Sequence, residues 1–132
     1  AYDSPYNQQT IAMSDADFGN MAIMMASNMA NDKKHQELLK KWILAADRKT
    51  WAYGYTDLLK LDLRPDLSNI TCETLVIGAS FPDVDVAKMN FEKQYANLTN
   101  KNIIMASDSK HFIMLDQPAW FYKTVNDFLA HE

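Results

Sequence analysis

Apolar positions recur every three or four residues through the first half of the chain and give way to short continuous runs in the second half. Ser14-Asp15-Ala16-Asp17 has the form of a capping box: the serine oxygen satisfies an orphan N–H and the carboxylates favour the positive helix end. A helix is predicted from there to about Ala30, with Phe18, Met21, Met25 and Met29 on one stripe. Ala22, Ile23 and Met24 widen that stripe until little polar face remains, so this helix wants burial on more than one side. A second helix is predicted over Lys33 to Ala46, with Asp32 as cap, Leu38, Leu39, Trp42 and Ile43 as its apolar face, and Glu37 placed to meet Lys41. A third, capped by Asp47, runs through Leu61 with Trp51, Tyr55, Leu58 and Leu59, weakened at Gly54. Residues 1 to 12, polar and aperiodic, are expected to be an irregular lead-in.

Asp62 to Leu67, with Pro65 and a charge cluster, reads as a linker. Thr74 to Ile77 is then a β-branched apolar run of the kind that is buried on both faces of a parallel sheet, closed by Gly78. A helix is predicted over Val86 to Leu98, a second strand over Asn102 to Ala106, and a last helix from Pro118 with Phe121, Val125, Phe128 and Leu129 as its buried stripe. The fold class is therefore α/β: three N-terminal helices over residues 1–61, then a β-α-β-α unit with parallel strands over 62–132. Strand, helix, strand in one sheet implies a right-handed crossover.

Composition narrows the function. A chain of 132 residues that is 48% hydrophobic can bury one real core, which excludes disordered and collagen-like classes. Thirteen basic against 17 acidic side chains leave a net charge of −4 with no basic run beyond a Lys pair, so nucleic-acid binding is not expected. The apolar stretch Met21 to Ala26 is far below the ~20 residues a membrane-spanning helix needs. Cys72 has no partner for an internal disulfide and is expected to act as a small buried apolar group. No Cys/His spacing suggests a metal, and no cofactor is expected.

Two phrases carry a family resemblance. LDLRPDLSNITCETLVIG resembles the join between helical cap and seventh strand in α/β-hydrolases, and SKHFIMLDQPAWFYKTVNDFL resembles the end of those proteins: a His after the eighth strand, an apolar patch, an acid, Gln, Pro and a final helix. Together they cover residues 61 to 131, and as an ordered set they are specific. Residues 14 to 60 fall where such proteins insert cap helices. The chain begins with Ala1, and the resemblance favours a start in mid-protein over a processed signal peptide.

On this resemblance His111 takes the place of the catalytic histidine, whose pKa near ~6.5 lets it accept a serine proton and return it to the leaving group. The acid of the family usually stands three residues after a glycine, where this chain has Phe81; Asp83 and Asp85, 28 and 26 residues before His111, are the candidates. A third arrangement places the acid after a sixth strand, which this chain does not contain. The Gly that often precedes the histidine is replaced by Asp108-Ser109-Lys110. Asp116 and Gln117 are expected to be only the cap of the last helix, and His35 and His131 to lie on helix surfaces. Gly78-Ala79-Ser80-Phe81-Pro82 imitates a nucleophile elbow, but Pro82 fills the place of its second small residue, and no G-x-S-x-G occurs in these residues.

The expected function is thus that of the C-terminal part of a serine hydrolase of esterase or lipase type. It would supply the catalytic histidine for acyl transfer on a small-molecule ester or amide and be inactive alone. The Met-rich helix with Trp42 and Trp51 would offer an adaptable apolar roof. The alternative is a non-enzymatic helical module that binds a partner chain. Because two parallel strands leave an open sheet edge, a homodimer or higher oligomer is expected.

Overall fold

In the computed structural model, residues 2–130 are described; His131 lies outside them. The protein is a mixed helix and sheet structure, mostly helical, with one small parallel sheet. It divides into two compact units, residues 1–29 with 33–62, and residues 30–32 with 63–132.

The first unit holds four helices: α1 (Pro5–Ala12), α2 (Asp15–Met29), α3 (Lys33–Ala45) and α4 (Arg48–Lys60). Helix α1 replaces the irregular lead-in expected for residues 1–12. Its start is written in Ser4-Pro5: the Ser4 hydroxyl accepts the Asn7 N–H at 3.2 Å, and Pro5 sits where no amide hydrogen is needed. Hydrophobic periodicity misses it because its two buried side chains are polar. Asn7 Nδ2 donates to Thr56 Oγ1 at 2.7 Å and to the Tyr2 carbonyl at 3.2 Å, which ties α1 to α4.

Ser14 caps α2 as expected, accepting the Asp17 N–H at 3.1 Å and donating to the Asp17 carboxylate at 2.6 Å. The buried stripe of α2 is Phe18, Ala22 and Ala26, not the methionines; small residues one turn apart let α3 approach closely, while Ile23 and Met24 stay exposed. Phe18 lies under the Arg48 guanidinium at 4.5 Å and meets Trp51 edge-on at 6.4 Å. Glu37 pairs with Lys40 at 3.7 Å instead of with Lys41. Tyr2 donates its hydroxyl to Asp57 at 2.7 Å, and that hydrogen bond raises the phenol above its ordinary pKa.

The second unit runs through a 3₁₀ turn over Arg64–Asn69, where a linker was expected, into β1 (Thr74–Ala79), α5 (Val84–Gln94), β2 (Lys101–Ala106), α6 (Ile113–Asp116) and α7 (Pro118–Leu129). The strands are parallel, with Thr74 opposite Lys101 and Gly78 opposite Met105. Helix α5 starts two residues earlier than the pattern implied and ends at Gln94; Leu98 leaves the helix through a turn and is fully buried. Cys72, expected inside, is exposed because it stands just ahead of the strand. Leu129, expected on the buried stripe of α7, is also exposed.

The Thr74 N–H donates to the Asn100 carbonyl at 3.0 Å, so Thr74 faces β2. Backbone groups alternate sides along a strand, which turns those of Leu75, Ile77 and Ala79 to the other edge. No strand among the described residues pairs there.

Gly78 is required by packing. A Cβ at that position would come within 2.7 Å of Met105 Sδ and 2.8 Å of Phe91 Cε2. Gly78→Ala should therefore cost about 1–3 kcal/mol, read as a lower melting temperature with Met105 forced aside. An unchanged melting temperature would show that α5 does not seat as tightly on the sheet as these distances require.

The Asp47 carboxylate caps α4 by accepting the Thr50 N–H at 2.8 Å, and this backbone hydrogen bond lowers its pKa. A lowered folded-state pKa means stability that is present above the unfolded value near ~4 and lost as pH falls through the folded one. The difference in helical circular dichroism stability between wild type and Asp47→Ala should be largest at neutral pH and shrink below about pH 4. A difference that does not change with pH would assign the cap to something other than the carboxylate.

Candidate functional site

Parallel pairing brings the loops after β1 and β2 to the same end of the sheet, the end where ligands and reactive groups collect in open α/β sheets. The two loops are joined by Ser80, the first residue after β1. Its hydroxyl accepts the Ser109 N–H at 3.2 Å and donates to the Ser109 carbonyl at 3.4 Å. Ser109 is 2% exposed, so the bond satisfies a backbone donor that water cannot reach. Ser80 thus has a structural task, which accounts for a serine in the elbow-like sequence without nucleophilic chemistry.

The second loop is the turn after β2. Asp108 has φ 46°, the left-handed region, which Asp tolerates better than most residues. Its carbonyl accepts Asn31 Nδ2 at 2.6 Å and Gln117 Nε2 at 3.4 Å. Two residues on, the Lys110 N–H donates to Asp116 Oδ2 at 2.8 Å, and the Asn31 N–H donates to Asp116 Oδ1 at 2.8 Å. Asp116 and Gln117, expected to be no more than a helix cap, are used this way; Gln117 holds the cap position of α7 without a capping side-chain bond. Charge-assisted bonds of this kind contribute about 1.5–3 kcal/mol each. A cleft of about 250 Å³ lies between the loops, walled by Asn31, Ser80, Phe81, Asp108 and Lys110, with the Lys110 ammonium 5.3 Å above the Phe81 ring.

His111 follows directly on this wall. It is exposed, its ring meets Phe112 edge-on at 5.1 Å, and among the described residues it makes no hydrogen bond. Asp83 and Asp85 lie across the sheet end in the loop and first turn that follow β1. Asp83 is the N-cap of α5: its Oδ1 accepts the N–H groups of Asp85 at 3.0 Å and Val86 at 2.9 Å. Asp85 is exposed in the first turn, where a negative charge suits the helix dipole. Neither carboxylate is hydrogen-bonded to His111. The histidine and its two candidate acids therefore share one end of the sheet without forming a joined pair.

His35, expected on a helix surface, is half-buried, and its Nδ1 is enclosed without a hydrogen-bond partner. Among the described residues no cluster of three or more His, Cys, Asp or Glu could hold a metal ion, and no helix is long and apolar enough to cross a membrane. Comparison with protein-family models, curated proteins and solved structures finds no match to this chain.

Proposed function

We propose that this chain is the C-terminal part of a serine α/β-hydrolase of esterase or lipase type, and that His111 is its general base. The observation that carries the reading is an exposed histidine on the loop just past the C-terminal end of the second of two parallel strands, at the same end of the sheet as the loop and helix start that bear two carboxylates. In this reading a serine from a segment preceding Ala1 attacks the carbonyl of an ester or amide. His111 takes its proton and delivers it to the leaving group, and Asp83 or Asp85 orients the imidazole. Helices α1 to α4 act as the cap region. The second reading, a partner-binding helical module, draws support from the exposed Trp42, Leu58 and Leu59.

The two separate by the coding sequence upstream of Ala1 and by activity. A strand pattern followed by G-x-S-x-G upstream supports the hydrolase. In that longer protein His111→Ala should lower kcat by about three or more orders of magnitude with the fold intact. The 132-residue chain alone should not hydrolyse a p-nitrophenyl ester. Hydrolysis by the chain that disappears in Ser80→Ala would move the nucleophile to Ser80 and end the proposal in this form.

The same reading predicts association of the chain when it is expressed alone. The edge of β1 carrying the backbone groups of Leu75, Ile77 and Ala79 would normally receive a neighbouring strand, and a second copy is the partner at hand. Light scattering at micromolar concentration should give a dimer or larger species; a 15.1 kDa monomer that unfolds cooperatively would refute it.

A further inference from the structure

We infer that Asp116 is a positioning residue for His111, acting through the backbone of the turn that carries it. The inference rests on the hydrolase reading for its meaning in catalysis, but its physical content stands in the structure itself. The Asp116 carboxylate uses one oxygen on the N–H of Lys110, the residue before His111, and the other on the N–H of Asn31, 85 residues away in sequence. Asn31 in turn returns its side-chain amide to the Asp108 carbonyl. A closed circuit results: Asp116 to Asn31, Asn31 to Asp108, and Lys110 back to Asp116. Inside it lies a turn whose first residue is held at φ 46°.

A non-glycine residue in the left-handed region sits in a small, sparsely populated well and stays there when surrounding groups hold its backbone. Here all three residues before His111 are fixed from outside the turn: Asp108 by Asn31 and Gln117, Ser109 by Ser80, and Lys110 by Asp116. Of these anchors Asp116 is the ionic one, and its single side chain joins two separate segments. His111 makes no hydrogen bond of its own among the described residues, so its imidazole is placed by the backbone that leads to it and by the edge-on contact with Phe112. General-base chemistry is sensitive to displacements of about 1 Å, which gives this indirect control a catalytic consequence.

The test uses the 132-residue chain, isotopically labelled, in three forms: wild type, Asp116→Asn and Asp116→Ala. Hydrogen exchange is followed at the amides of Asn31 and Lys110, and at Val76 and Ile104, which face each other's strand in the sheet, as controls; the His111 ring resonances are recorded in parallel. In Asp116→Ala, exchange at Asn31 and Lys110 should rise about tenfold or more and the His111 signals should broaden or split, with the sheet amides unchanged. Asp116→Asn keeps one acceptor oxygen and the side-chain shape, so it should release one of the two amides and disturb the ring less. Should Asp116→Ala fail to fold, the isosteric variant decides alone by the same readings.

Unchanged exchange at both amides, or an unchanged His111 ring, would overturn the inference. Loss of protection at Val76 and Ile104 together with the turn would also overturn it, because Asp116 would then be holding the fold and not the histidine. In the longer protein Asp116→Asn should lower kcat about tenfold with KM unaltered. Full activity of His111→Ala there would remove the hydrolase reading, while the exchange result on Asp116 would still stand or fall by itself.

Discussion

The parallel pairing of β1 with β2 is the constraint from which the second unit follows. Two parallel strands cannot be joined by a tight turn, so the chain has to cross back over the sheet, and α5 is that crossing. The helix lies against both strands, and its closest approach falls at Gly78, where Phe91 and Met105 occupy the space a side chain would take. Parallel pairing also decides which loops are neighbours. The residues after Ala79 and after Ala106 emerge at one end, and Ser80 bonds the two loops there.

What that end lacks in regular structure it gains from side-chain to backbone bonds. Asn31, Ser80 and the adjacent pair Asp116 and Gln117 together satisfy polar groups of one turn from three separate places in the sequence. The first unit uses a related device at smaller scale, with the buried Asn7 joining α1 to α4 through a side-chain bond to the half-buried Thr56. Buried polar groups fixed in this way specify one arrangement, since any slip strands a donor away from water.

The sequence pattern was a sound guide where burial is apolar and regular. The strands, the three larger helices of the first unit and the start of the last helix stand within a few residues of where periodicity puts them, because each presents an apolar face of the matching period. It failed where polar groups do the packing. Helix α1 escapes the apolar pattern since Asn7 and Thr10 are what it buries, although Ser4-Pro5 announces its start. The short α6 was invisible in an apolar patch of four residues. At the candidate site His111, Asp83 and Asp85 were legible as residue types in order, and the histidine's loop was legible with them. The role of Asp116 was not, because it depends on Asn31, which no local pattern connects to it.

The two carboxylates that follow β1 are not equivalent partners for an imidazole. Asp83 carries the cap of α5 and its Oδ1 holds two N–H groups; turning that oxygen elsewhere would leave both donors to solvent and cost about 1 kcal/mol of helix stability. Asp85 accepts no hydrogen bond among the described residues, is exposed, and keeps its favourable place near the helix N-terminus through small changes of rotamer. Within the hydrolase reading the cheaper recruit is therefore Asp85. Asp83 then serves it from behind: by fixing the first turn of α5 through the Asp85 N–H, it holds the backbone from which the second carboxylate reaches out.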